Sequence, residues 1–209
     1  MTNHSERKQP AEFYGDCYSK GEREWMSQTQ RYRERLFGPL LKLLERFNVA
    51  PDHLTLLSLF AGLTFCPLYF WSIPAAFAAL MLHAALDGLD GPLARHLGVA
   101  SRSGSFTDTM TDQLVVTATT IALMKAGVIG IAAGSNYIFL YGVVVAFAMI
   151  RNALAVPYSW IVRPRFIVYL WLPVEAYLLP GTIDYLLWFC SALLALKMLT
   201  GFFRIRKTL

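Results

Sequence analysis

Six apolar stretches occupy roughly residues 54–71, 74–94, 105–126, 136–156, 166–179 and 183–203, with short polar segments between them. A helix needs about 20 apolar residues to cross a bilayer, and most of these stretches come close to that length. The pattern predicts an all-α integral membrane protein with six transmembrane helices. The fifth stretch is short and contains Pro173 and Glu175, so its limits are the least sharply marked. Before the first stretch, from Arg31, the apolar spacing becomes helical. Leu36, Leu40, Leu43, Leu44 and Phe47 share one face, and Arg33, Arg35, Lys42 and Arg46 are available to headgroups. This predicts an N-terminal amphipathic juxtamembrane helix, interrupted at Gly38-Pro39, lying in the membrane interface. The alternative is a cytosolic helix packed on its own protein. The chain divides into an N-terminal segment, 1–50, and a membrane domain, 51–209. Residues 1–27 are too polar to read as a signal peptide.

Composition agrees with lipid as the solvent. Of 209 residues, 56% are hydrophobic and 16% charged, against about 25% charged in soluble domains. That argues against a soluble enzyme, a disordered tail and a disulfide-rich secreted domain. The three cysteines, Cys17, Cys66 and Cys190, are widely spaced and show no metal-ligand pairing. The net charge is +5, but the basic residues do not gather on one face as nucleic-acid binding requires. Nine of them lie between Arg7 and Arg46, and others lie at Arg95 and Arg102, at Arg151, Arg163 and Arg165, and from Lys197 to Lys207. Alternate threading of six spans puts all these clusters on one side and Lys125 near the other. By the positive-inside rule that side is the cytoplasm, which holds both termini. The expected site is a bacterial inner (plasma) membrane.

Four acids stand where lipid should exclude them. The second span ends LHAALDGLDGPLAR and the third begins GSFTDTMTDQLVV. Asp87 and Asp90 are three residues apart, and Asp108 and Asp112 four apart, so each pair shares a helix face. On insertion scales four such charges cost roughly 10 kcal/mol or more, which marks them as functional. Arg95 alone cannot neutralise them. An all-carboxylate set suits hard divalent cations such as Mg²⁺ or Mn²⁺. Two such ions about 4 Å apart are the usual device for phosphoryl chemistry. The acids alone fit a cation- or proton-coupled transporter equally well. Their surroundings favour the enzyme: Ala84, Gly88, Gly91 and Ala94 bare the helix, either for close packing or for a large ligand. Arg95, Arg102, Gly98 and Gly104 suit a diphosphate.

The spacing Asp87, Asp90, Gly91, Ala94, Arg95, Gly104, Asp108, Asp112 resembles the signature D-x2-D-G-x2-A-R-x8-G-x3-D-x3-D of the CDP-alcohol phosphatidyltransferases. Pro51-Asp52-His53-Leu54-Thr55 is similar to the family's P-N-x-L-T, with Asp52 in place of Asn. The resemblance implies six transmembrane helices, an N-terminal amphipathic helix and a homodimer. It implies two divalent ions on Asp87, Asp90 and Asp108, with Asp112 at their edge and also the general base. It implies contacts to the CDP moiety from Asp87, Gly91, Ala94, Arg95 and Gly104. The implied reaction transfers the phosphatidyl group of CDP-diacylglycerol to an alcohol and releases CMP.

The signature does not name the alcohol. Arg151 and Lys197 each lie in the cytoplasmic half of an apolar span. Facing inward, they would form an anion pocket for a phosphorylated acceptor such as glycerol 3-phosphate or inositol phosphate; the alternative is that they snorkel to the interface. Gln113 follows the last Asp, where glycerol-phosphate relatives often carry Lys and inositol-phosphate relatives Arg. His83 shares a helical face with Asp87 and reads as a buried histidine bonded to a neighbouring helix, or as a support for the metal ligands. Arg163 and Arg165 read as headgroup contacts or topology determinants. Glu175 and Asp184 read as wetted residues near the outer surface, and Trp71, Trp160, Trp171 and Tyr185 as interfacial anchors.

Overall fold

The computed structural model of the chain describes residues 37–154 and 163–208. Among them are seven helices and no strand: α1 Phe37–Arg46, α2 Pro51–Tyr69, α3 Ile73–His96, α4 Arg102–Lys125, α5 Ile131–Ala153, α6 Pro164–Tyr177 and α7 Ile183–Arg206. Helices α2 to α7 follow the six apolar stretches closely. By length and composition, α3, α5 and α7 can cross a membrane, and α1 with α2 passes as a bent pair. Helix α4 falls short because its first half is polar, and α6 because it has 14 residues. Cys17, Arg31, Arg33, Arg35, Leu36 and Trp160 lie outside the described residues.

Helix α2 packs most extensively on α3 and also on α4, while α5 packs on α7 and α4. Gly62 lets α2 and α4 approach closely, since a Cβ there would stand 2.6 Å from both γ-carbons of Val115. Much of the outer surface is apolar, including Leu56, Phe60, Leu114, Phe139, Leu170 and Phe189. Acids and two arginines are buried inside. Lipid as solvent rewards that inversion, because polar groups need partners within the protein.

Helix α1 meets α2 at a bend of 107°, where Asn48 takes a positive φ of 52°, a conformation Asn tolerates better than most side chains. Gly38 and Pro39 lie within α1 and do not break it. Its apolar residues serve two surfaces. Phe37, Leu41 and Leu44 pack with Leu54, Leu86, Leu89 and Leu93, whereas Leu40, Leu43 and Phe47 remain exposed. Glu45 pairs with His96 at 2.9 Å, tying α1 to the end of α3.

Of the two acids expected in water, Glu175 is buried and Asp184 half-buried, and both cap helices. Glu175 accepts from the backbone N–H groups of Gly181, Thr182 (2.9 Å) and Ile183 (2.8 Å), and from the Thr182 hydroxyl (3.1 Å). It supplies the negative charge that the N-terminus of α7 favours. Asp184 accepts from the Gly130 N–H at 2.9 Å, at the start of α5. Trp171, expected as an anchor, is half-buried and donates to Thr182 Oγ1 at 3.0 Å. Trp71 and Tyr185 are exposed. Glu175→Gln swaps an accepting oxygen for a donor facing N–H groups. It should cost about 2 kcal/mol of stability, measured as a lower midpoint of thermal unfolding in detergent.

Candidate active site

The four acids come from facing ends of two consecutive helices. Asp90 is six residues from the end of α3 and Asp108 six from the start of α4, about 9 Å below the turn between them. Asp87 and Asp112 lie a further turn inward. Asp87, Asp90 and Asp112 are buried, and Asp108 is half-buried. One carboxylate oxygen from each of Asp87, Asp90 and Asp108 can be chosen so that all lie within 4.8 Å of one another.

Asp112 is not in that group. Its Oδ2 pairs with Nη1 of Arg165, whose Nη2 donates to Asp87 Oδ2 at 2.7 Å. Arg165 is only 2% exposed, so it is neither a headgroup contact nor a topology signal. The clue was helical phase. Arg165, Val168, Tyr169, Leu172 and Glu175 share the buried face of α6 at intervals of three and four, while Arg163 precedes the helix and is exposed.

The motif at the start of α2 also gains a physical role. The Thr55 hydroxyl donates to Asp90 Oδ2 at 2.8 Å, and the Gly91 N–H meets Asp90 Oδ1 at 2.5 Å. Both oxygens of this acid are therefore held by donors. One turn along α2, Ser58 Oγ lies 2.7 Å from His83 Nδ1 and also donates to the His83 carbonyl. His83 is thus a buried histidine bonded to a neighbouring helix.

The donor set fits a divalent cation. It is all oxygen, it converges from two helices, and Oδ1 of Asp108 and of Asp112 are buried without a hydrogen-bond partner. Four carboxylates against one guanidinium leave a formal excess of three negative charges among buried or half-buried groups. That is a strong demand for cationic ligands in a medium of low dielectric.

The remaining candidates surround this cluster unevenly. At Gly91 an added Cβ would meet only Arg95 Nη1, at 3.4 Å, so packing within the chain does not demand a glycine there. Of the two explanations for the bare helix face, this favours a ligand at Gly91. Ala94 is half-buried and Arg95 is exposed in the last turn of α3. Gly104 lies in the first turn of α4, where its N–H donates to Ser101 Oγ at 3.0 Å. Arg151 is buried at the end of α5, with Nε donating to the Phe147 carbonyl at 3.1 Å. Lys197 is half-buried on α7, the helix against which α5 packs.

The sequence pattern of the CDP-alcohol phosphatidyltransferases matches residues 48–203, three quarters of the chain. The chain belongs to that family. An uncharacterized protein of Aquifex aeolicus is 39% identical over 83 residues, which are 39% of this chain and 42% of that protein. The CDP-diacylglycerol–serine O-phosphatidyltransferase of Mycobacterium leprae is 44% identical over 66 residues, 31% of this chain and 22% of that enzyme. The chain thus matches less than half the length of each relative. Among solved structures, the fold is similar to phosphatidylinositol phosphate synthase of Mycobacterium tuberculosis with CDP-DAG bound. The TM-score is 0.69 at 19% identity, covering 82% of this chain and 94% of that one. The same enzyme with manganese and citrate gives 0.64 at 19% identity, covering 80% and 87%.

The Thr55 bond to Asp90 yields a test outside activity. Thr55→Val keeps the shape and removes the donor, so Mn²⁺ affinity should fall about tenfold to a hundredfold. Titration of the purified protein with Mn²⁺, followed by loss of the free-ion paramagnetic signal, measures it.

Proposed function

We propose that this chain transfers the phosphatidyl group of CDP-diacylglycerol to an alcohol and releases CMP, with Asp87, Asp90 and Asp108 holding Mg²⁺ or Mn²⁺. The observation that carries the reading is the carboxylate cluster itself. Three oxygens converge from α3 and α4, a fourth acid stands beside them, and all four follow the family's spacing. Divalent ions bound there would polarise the diphosphate and offset charge on the departing CMP.

The chain's own residues supply the rest. The open backbone at Gly91, with Ala94, Arg95 and Gly104 nearby, receives the cytidine diphosphate, and the apolar outer surface leaves the acyl chains in lipid. Asp112 lies outside the three-carboxylate group and has one oxygen without a partner. It takes the proton of the acceptor hydroxyl as that oxygen attacks the β-phosphorus. The new P–O bond forms as the bond to CMP breaks, and the phosphatidyl group leaves on the alcohol. Resemblance to the family assigns Asp112 a place at the metal edge as well.

The acceptor is a polyol phosphate such as glycerol 3-phosphate or inositol phosphate. Burial of the Arg151 guanidinium supports an anion-binding role, with Lys197 on the adjoining helix. The enzyme works as a homodimer with six spans in a bacterial inner membrane, its active site and both termini cytoplasmic. Helix α1 lies in the interface with Leu40, Leu43 and Phe47 in lipid. The family resemblance supports the dimer, and the clustering of basic residues supports the orientation.

CMP release from CDP-diacylglycerol with Mg²⁺ or Mn²⁺, screened over serine, glycerol 3-phosphate and inositol phosphate, tests the reaction. Asp112→Asn should lower kcat by about a hundredfold or more, while Asp108→Ala should lose metal affinity. If the wild type releases no more CMP than Asp112→Asn with any acceptor, the enzyme reading fails. Arg151→Ala should raise KM for the phosphorylated acceptor about tenfold or more and leave KM for CDP-diacylglycerol unchanged. An unchanged acceptor KM removes Arg151 from that site.

A further inference from the structure

We propose that Arg165 is the resident counter-ion of the carboxylate site and competes there with the divalent cation. The inference rests on the reading of Asp87, Asp90 and Asp108 as cation ligands. Its basis is that one acid serves two partners. Asp87 belongs to the three-carboxylate group and also to the pair with Arg165. A cation entering the group therefore meets a carboxylate already bound to a positive charge. Burial leaves little water to screen the two, so they repel strongly.

Arg165 has few other places to go. Its guanidinium carbon stands 4.6 Å from the Phe166 ring centroid. Its Nε has no hydrogen-bond partner, and the two Nη atoms make the ionic contacts. Without a divalent ion, this guanidinium offsets charge on Asp87 and Asp112 and joins α6 to α3 and α4. With the ion bound, the Asp87 contact weakens and the guanidinium shifts toward Asp112. The site can thus be partly balanced in two ways, and metal affinity is lower than four unopposed carboxylates would give. The metal-free protein keeps its helices together in return.

Mn²⁺ titration of the purified full chain in detergent, with and without Arg165→Gln, tests this directly. Arg165→Gln should bind Mn²⁺ about tenfold tighter or more, melt lower than wild type without metal, and gain more melting temperature from Mn²⁺. Unchanged or weaker binding overturns the competition, and weaker binding would make Arg165 an organiser of the ligands instead. The double variant Arg165→Gln/Asp112→Asn removes both halves of one pair, and so keeps the test open if the single variant does not fold. It should bind Mn²⁺ more tightly than Asp112→Asn alone, and equal or weaker binding overturns the proposal. Arg165→Lys keeps the charge and should stay within about threefold of wild type. A gain as large as that of Arg165→Gln would mean that charge is not the cause. Should wild type and Asp108→Asn alike fail to bind Mn²⁺, the metal reading itself falls, and this inference with it.

Discussion

A carboxylate taken out of water needs a cation or a donor, and this bundle is organised around four of them. The supply is uneven. Asp90 receives a hydroxyl and a backbone N–H, whereas Asp87 and Asp112 share one guanidinium. Asp108 has an oxygen, Oδ1, with no hydrogen-bond partner. The electrostatic deficit is therefore greatest around Asp108, which is not one of the two acids paired with Arg165. A divalent ion placed there would gain from three acids, one of which, Asp87, it would share with the guanidinium.

Holding acids from two helices within a few ångströms requires the helices to be held first. Helix α2 does this with a buried face of small and polar residues. Thr55, Ser58 and Gly62 reach Asp90, His83 and Val115 in turn. One helix thereby sets the spacing of both acid-bearing neighbours. Helix α6 is secured by charge at both ends of its buried face. Arg165 ties one end to α3 and α4, and Glu175, ten residues on, caps α7 at the other. Because both charges are buried, loss of either partner leaves the other exposed to the full cost of desolvation.

The helices and the grouping of the acids were legible from the amino acids because each leaves a local trace. Apolar length marks the helices, and spacings of three and four put acids on a common face. The same logic misread Arg165 and Glu175, since the loop-and-span pattern locates a charge along the membrane normal but not around the helix axis. Position alone assigned Arg165 to headgroups and Glu175 to water. Helical phase assigns both to the interior, and it was available from Val168, Tyr169 and Leu172. The Thr55 bond was not legible at all: its partner lies 35 residues away, and only packing of α2 on α3 brings them together.

The placement of α6 is tied to the same ion pair. Fourteen residues of helix rise about 21 Å, less than the roughly 30 Å of a hydrocarbon core. Arg165, the second residue, must reach Asp87 and Asp112, which lie about 13–15 Å below the turn between α3 and α4. The start of α6 therefore lies within one arginine side chain's reach of those two acids, below the turn between α3 and α4. A shift of α6 that withdrew Arg165 would leave two buried acids without their cation. The fifth apolar stretch is thus a helix placed by charge as well as by its buried apolar face.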